Sequence, residues 1–223
     1  MSKLPTPTYV EEIRTSLSSE KERISRKKIE ESVNRILFEN SISSPPVNVQ
    51  KLAEDLGFDI FDMTFDAGSG IIGWMEDGAE ENDFVKSQRF IGVDSNSDAY
   101  RKIGTIAHEL GHFFMDCSSD EDYTDVRFRC TQDVPEKLMH IIVGLSDSYE
   151  EENAEAFKNE LLMPWKIMLK FLRQCDNEKW GDVLDKIKKA FGVPRHTARD
   201  HLERKLNLTI SNEDRLKVGE VLG

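Results

Sequence analysis

The chain of 223 residues is long enough to bury a core as one domain or as one domain with appendages. With 42 acidic residues against 30 lysines and arginines, its formal charge is −12, which argues against non-specific nucleic-acid binding by the whole chain. No apolar run approaches the length of a membrane span, and residues 1–12 lack the apolar core of a signal peptide, so we expect a cytoplasmic protein with no membrane partner. Three cysteines without CxxC spacing predict reduced thiols, with a redox role for Cys117 as the alternative.

The first part of the chain predicts an arm followed by two helices. Residues 1–17 contain prolines and show no clear apolar period, which predicts a loosely ordered arm. A helix with an apolar stripe is predicted from a cap beginning at Ser18 to about Asn40, so that the arm and this helix together form residues 1–44. A short helix is predicted next and is closed by Gly57.

A small sheet is predicted after this short helix. Alternating or apolar runs bounded by turn residues indicate strands at residues 58–61, 71–75 and 89–94, with an exposed acidic loop over residues 76–83. A sheet that precedes a long helix is typical of an α+β domain. The edge formed by residues 71–75 or 89–94 is a candidate to bind a substrate peptide as an added strand, and a purely structural sheet is the alternative.

The stretch TIAHELGHFF, residues 105–114, has the spacing of a metal-binding helix. A helix predicted over residues 98–115 places His108 and His112 on one face, one turn apart, where two imidazoles can bind one divalent metal. Zinc is the usual metal for such nitrogen ligands. Glu109, next to the first histidine, can take a proton from a water held at the metal. A coincidental pair of helical histidines is the alternative.

A hydrolytic zinc site usually has three protein ligands, so a third ligand is expected downstream. Residues 116–147 predict a loop followed by a short helix or irregular cover, and residues 149–163 predict a helix with the acidic sequence YEEENAEAF. On that helix Glu151 can bind the metal, while Glu155, four residues later, can orient a ligand histidine through its far nitrogen. Alternatively, the acidic residues only stabilise the helix N-terminus. The other histidines are His140, His196 and His201.

TIAHELGHFF followed by EENAEAFKNELLMP resembles the ImmA/IrrE family of metallo-endopeptidases, and upstream stretches extend the resemblance to about residues 47–165. The resemblance implies that Glu151, rather than its neighbours, is the third ligand. It also implies a helix-turn-helix transcriptional repressor as the substrate. The chain departs from the family pattern at Asn153, where Glu or Gln is usual, and at Glu155, where Asn or Asp is usual. Lys158 and the residue after it replace small residues.

The C-terminal residues 166–223 predict a helical region that contains a helix-turn-helix-like unit. A Gly-containing turn lies between helices predicted at residues 179–190 and 195–206, and this stretch is locally basic. DNA contact through residues 179–208, by Arg195, His196 and Arg199, is one interpretation. We favour a packing appendage or a dock for a partner protein, because the chain is acidic. His196 and His201 are expected at the surface.

Together these patterns predict an α+β fold, with a small antiparallel or mixed sheet packed on a zincin-like helical core in residues 45–165 and a helical C-terminal extension. The predicted activity is that of a zinc-dependent endopeptidase, with manganese as the alternative metal. Glu109 is the predicted catalytic base, and Tyr149 and His140 are candidate donors to the oxyanion. The alternative function is a non-proteolytic metal-binding regulator or toxin–antitoxin component that contacts a DNA-bound partner. The predicted metal ligands are His108, His112 and Glu151, with Glu155 behind them.

Overall fold

A computed structural model describes residues 6–18, 24–65, 71–77, 89–115, 126–131, 148–210 and 217–222. Its helices are α1 (Thr8–Ser18), α2 (Arg26–Glu39), α3 (Val49–Asp55), α4 (Ala99–Met115), α5 (Ser148–Leu162), α6 (Trp165–Leu172), α7 (Trp180–Phe191), α8 (Arg195–Leu206) and α9 (Val218–Leu222). Its strands are β1 (Asp59–Met63), β2 (Ile71–Asp77), β3 (Arg89–Asp94) and β4 (Val126–Thr131). The chain divides into two compact units: Met1–Ser32 with Asn48–Lys158, and Val33–Val47 with Asn159–Gly223. No helix in the described ranges is long and apolar enough to cross a bilayer.

The four strands of the first unit form one mixed sheet in the order β1-β3-β2-β4. β1 and β3 are parallel, with Ile60 opposite Ile91, whereas β2 is antiparallel to both β3 and β4. Helix α4 packs against β2, β3 and β4, and the side chains of Met75, Ile91 and Val93 are buried. The predicted α+β fold with a small mixed sheet is therefore confirmed.

The edges of this sheet differ from the prediction. β2 lies between β3 and β4, and β3 lies between β1 and β2, so residues 71–75 and 89–94 have no edge at which a peptide can pair. The prediction of a substrate-binding edge at these strands is wrong. β4 occupies part of the predicted loop at residues 116–147 and, with β1, forms an edge among the described strands. In the sequence of β4, apolar residues alternate with Arg127 and Arg129, which is the period of a strand.

A loosely ordered arm is predicted for residues 1–17, but from Thr8 onward the structure has helix α1, and residues 1–5 lie outside the described part of the chain. The buried apolar side chains of α1, spaced by three or four residues, are Val10, Ile13 and Leu17. This spacing forms one apolar helical face, which packs against α4. The predicted helix cap at Ser18 is also wrong, because Ser18 ends α1. The next helix, α2, is preceded by Ser25, whose Oγ accepts a hydrogen bond from the Lys28 amide at 3.3 Å.

Local signals at the ends of α3 and α4 agree with the predicted elements. Asn48 caps α3, since its Oδ1 accepts from the Lys51 amide at 3.0 Å, and Gly57 follows the helix with a φ of +87°. Asp98 caps α4 by accepting from the Arg101 amide at 2.9 Å. Every residue from Thr105 to Met115 is buried, so the histidine motif lies in the interior of the first unit.

The described part of the second unit consists mainly of helices, as predicted for the C-terminal extension. Gly192, in the left-handed region at φ +68°, ends α7, and Pro194 precedes α8, which gives the predicted helix–turn–helix connection. Lys205 Nζ lies 2.7 Å from the buried carboxylate of Glu160. His196 is exposed as predicted. His201 is buried at 4% exposure, so its predicted surface position is wrong: the apolar face of α8 includes it.

Candidate metal centre

Two histidines of α4 face each other across one helical turn. His108 Nε2 lies 3.1 Å from His112 Nε2, and both side chains are buried. Two ring nitrogens at this distance are stable only when a proton or a metal ion lies between them, because two lone pairs repel each other. The spacing of the motif on the helix therefore brings two ring nitrogens close enough to bind the same cation.

Glu151 of α5 is the third group at this position. Its Oε2 lies 3.1 Å from His108 Nε2, and its Oε1 lies 3.5 Å from His112 Nε2. The close approach of α5 depends on Gly111, where an added Cβ would lie 2.9 Å from Ala154 Cα and 3.0 Å from the Ala154 carbonyl oxygen. The two helices thus meet backbone to backbone, three residues beyond Glu151.

The donor set fits a zinc ion. In a tetrahedral site with zinc–ligand bonds of about 2.0–2.1 Å, neighbouring ligand atoms are about 3.3 Å apart. His108 Nε2 lies 3.1 Å from both His112 Nε2 and Glu151 Oε2, and the other carboxylate oxygen, Oε1, lies 3.5 Å from His112 Nε2. One atom from each residue thus forms a group of potential metal ligands within 4.8 Å of one another among the described residues. Three protein donors leave a fourth position open, which is the pattern of catalytic zinc sites rather than structural ones.

Two further carboxylates accompany this group. Glu109, which follows the first histidine on α4, is fully buried. Glu155 of α5 has an Oε2 atom 3.6 Å from His108 Nδ1, the ring nitrogen that faces away from Glu151. The same carboxylate forms an ion pair with Lys158, one turn further along α5. The structure thus places Glu155 behind His108, where the sequence predicted it.

Comparison with known protein families matches residues 73–203 to the IrrE N-terminal-like domain, Peptidase_M78. The matched range covers more than half of the chain and includes α4, α5 and most of α8. The chain belongs to this family. The predicted resemblance is therefore confirmed, and membership of the IrrE N-terminal-like family indicates a peptidase-like function.

Other comparisons are more distant. A Mycobacterium tuberculosis transcriptional regulator of known structure aligns with a TM-score of 0.48 and 15% identity over 94% of this chain and 55% of that chain. The IrrE N-terminal-like chain thus spans just over half the length of that solved protein. Among curated protein sequences, none matches.

The charges in this IrrE N-terminal-like centre stabilise one another. Burial alone would lower the pKa of His108, but the neighbouring carboxylates of Glu151 and Glu155 outweigh burial and raise it. Burial opposes ionisation of Glu151, yet the two imidazoles hold the pKa of this carboxyl far below its usual range. Burial also opposes ionisation of Glu155, but the neighbouring His108 and, to a smaller extent, Lys158 lower the pKa of this carboxyl to about 2. The centre therefore contains ionised carboxylates that favour a bound cation.

The remaining predicted site residues lie elsewhere or outside the described part of the chain. Tyr149 lies in the first turn of the helix that carries Glu151 and is exposed. His196 and His201 belong to α8 of the second unit. His140 and Cys117 lie outside the described residues.

Sequence reasoning missed the roles of two residues of α5. Asn153 and Lys158 were noticed only as departures from the family pattern. The structure shows that Asn153 is buried and that Lys158 pairs with Glu155. A sequence signal existed for Lys158, because a Glu and a Lys three residues apart on a helix are neighbours. For Asn153 there was none, since its partner is distant in sequence.

Proposed function

We propose that this protein is a zinc-dependent endopeptidase. The observation that carries this function is the close approach of the His108, His112 and Glu151 side chains, with a buried Glu109 beside the first histidine. These three residues would hold the metal, and manganese is the alternative ion. A bound zinc would polarise the scissile carbonyl and make an attacking water more acidic.

The chain's own residues account for the proton transfers of peptide hydrolysis. The Glu109 carboxylate takes one proton from the attacking water as its oxygen forms a bond to the carbonyl carbon. Glu109 then gives this proton to the peptide nitrogen as the carbon–nitrogen bond breaks, so that an acid and an amine leave. The Glu155 carboxylate lies 3.6 Å from His108 Nδ1, and its charge favours the ring orientation that directs Nε2 toward the metal position.

Substrate binding is assigned to the β4 edge. β4 packs near α4 and pairs on one side with β2, and no described residue pairs with its other side. An extended peptide added there would form main-chain hydrogen bonds next to the histidine helix. Slower amide hydrogen exchange in residues 126–131 on adding substrate would support this assignment, and unchanged exchange there would contradict it.

A helix-turn-helix transcriptional repressor is the substrate that we infer, and its cleavage would release stress-response or mobile-element genes. This inference rests on the resemblance to ImmA/IrrE peptidases. Charge supports it, because most of the 42 acidic residues belong to the first unit, and an acidic surface attracts a basic DNA-binding protein.

We assign no DNA contact to residues 179–208. Several of their basic groups are already engaged within the second unit. Arg195 pairs with Asp185 at 3.4 Å, and Lys205 pairs with Glu160. Arg204 Nε donates to the carbonyl oxygen of Asp200 at 3.0 Å. We propose instead that this region supports the peptidase or contacts a partner protein in the cytoplasm.

The experiment that tests the proposed function compares host cells that make the wild type or Glu109→Gln. New protein N-termini are identified by mass spectrometry, and bound metal is measured in both purified proteins. We expect a cut only with the wild type and zinc in both proteins, because Glu109 moves protons but does not bind the metal. Cleavage that survives the substitution would remove Glu109 from the mechanism. Metal bound in both proteins without any difference in N-termini would favour the non-proteolytic regulator.

A further inference from the structure

The N-terminal part of the chain contacts residues that lie next to the metal ligands in sequence, although it precedes the family match at residues 73–203. We name residues 6–18 together with Ile24 the N-terminal strap. Its first contact is at the start of β3, where Arg89 Nη2 donates to Thr6 Oγ1 at 2.8 Å. The other end of the same guanidinium donates to the carbonyl oxygen of Leu56 at 3.0 Å. The strap is thereby attached to the sheet that carries α4.

The second contact of the strap is with the residue that follows the ligand His112. The Arg14 guanidinium lies 4.6 Å from the ring centroid of Phe113, and that of Arg89 lies 5.1 Å from it. Both distances are within the range in which a cation is attracted to an aromatic face. Both arginines are almost fully buried, at 6% and 3% exposure, so this attraction is weakly screened. Two cations thus hold the Phe113 ring, and with it the end of α4.

The third contact is with the helix that carries Glu151. The Ile24 amide donates to Asn153 Oδ1 at 3.1 Å, over a separation of 129 residues in sequence. Asn153 is 5% exposed and lies between the ligand Glu151 and Ala154, the residue that touches Gly111. A buried N–H without its acceptor is costly, so this bond fixes α5 against the strap.

We propose that Asn153 is a positioning residue of the metal centre and that the N-terminal strap, through Asn153 and Phe113, sets the distance between Glu151 and the two histidines. This role rests on the proposed metal site. Metal–ligand bonds tolerate errors of about 0.2 Å, so a small shift of α5 relative to α4 is enough to weaken binding. The strap contacts both ligand helices: it contacts α4 at Phe113, one residue after the ligand His112, and α5 at Asn153, two residues after the ligand Glu151.

The test measures the zinc dissociation constant by competition with a chromophoric chelator, at a temperature where circular dichroism shows every variant folded. Asn153→Leu keeps the shape but removes the acceptor, and we expect zinc binding about 10-fold weaker. Asn153→Asp keeps an oxygen for the Ile24 amide and should bind zinc nearly as the wild type does. Arg14→Met, which preserves length but removes the cation, should also weaken binding.

A control separates positioning from general stability. Val49→Ala removes methyl groups from a buried side chain of α3 in the same unit, so it should lower the melting temperature of the metal-free protein and leave zinc affinity unchanged. Wild-type affinity in Asn153→Leu, or equal weakening in Asn153→Leu and Asn153→Asp, would overturn the positioning role while leaving the proposed function intact. A wild type that binds no zinc would overturn both.

Discussion

Gly111→Ala is the substitution that most directly tests how the two ligand helices set the metal centre. The new Cβ would lie 2.9 Å from Ala154 Cα and 3.0 Å from its carbonyl oxygen, whereas ordinary contacts of this kind are 3.4–4 Å. Backbone atoms cannot rotate away, so α4 and α5 must separate by about 0.5 Å or more. Such a shift carries the Glu151 oxygens away from both histidines and exceeds the tolerance of metal–ligand bonds, about 0.2 Å.

Two opposing effects decide the stability of the metal-free Gly111→Ala protein. Overpacking costs about 1–3 kcal/mol, and replacing glycine by alanine inside a helix returns about 1 kcal/mol. The net loss is therefore about 0–2 kcal/mol, whereas zinc affinity should fall about 10- to 100-fold. Zinc affinity is measured by chelator competition, and unfolding of the metal-free protein is followed in urea.

Gly104→Ala provides a matched control on the same helix. Among the described residues, a Cβ at Gly104 meets nothing within 4 Å beyond its chain neighbours and the backbone of its own helix, so this variant gains helix propensity without overlap. We expect it to be as stable as the wild type or more stable by up to about 1 kcal/mol, with unchanged zinc affinity. If Gly111→Ala bound zinc as tightly as Gly104→Ala does, the backbone contact with Ala154 would not determine the position of Glu151.

Three further outcomes follow from the charges. Lys205→Met removes the 2.7 Å ion pair with the buried Glu160 carboxylate and should destabilise the protein by about 3 kcal/mol in urea unfolding; a change below about 1 kcal/mol would contradict this. The pKa of Glu155 falls from 4.5 to about 2 on folding, so its ionisation stabilises the metal-free protein above pH 4.5, and that stability is lost as pH falls toward 2. Glu155→Gln should therefore show a flatter acid denaturation curve over this range, by an amount that solvent screening limits because the side chain is half exposed. Since the pKa of His108 is raised in the metal-free protein, protons should displace zinc at a higher pH than from an unperturbed histidine, and a zinc titration against pH measures this.

The centre of the fold was predictable because its signals are local. The His-Glu-x-x-His spacing is set by the helical turn, and the cap at Asp98 and the apolar run to Met115 mark the helix ends. Several acids on the helix after the histidine motif were candidates for the third metal ligand, and the family resemblance favours Glu151 over its neighbours. The structure brings it within 3.1 Å of His108 Nε2, although its role as a ligand stays a prediction.

What the sequence did not predict depends on distant contacts or on weak patterns. α1 has only three buried apolar side chains in a polar stretch beside prolines, and its stability comes from packing on α4. β4 has a strand period, but six residues of alternating Arg and apolar character are too few to outweigh the surrounding polar sequence. The bond between Ile24 and Asn153 joins residues far apart in sequence, so no local pattern contains it.

The departures from the family pattern on α5 are physically connected. At position 155, Glu is one methylene longer than the Asp that is common there. The additional rotatable bond gives its carboxylate more conformations in which it does not contact His108. Lys158, which replaces a small residue one turn later, pairs with this carboxylate while it faces His108 Nδ1. A longer acid combined with a nearby lysine thus provides the orientation that a shorter side chain would provide alone. The two positions are therefore expected to be coupled: removing the Lys158 side chain should weaken the contact with the histidine when residue 155 is Glu, and should leave it unchanged when residue 155 is Asp.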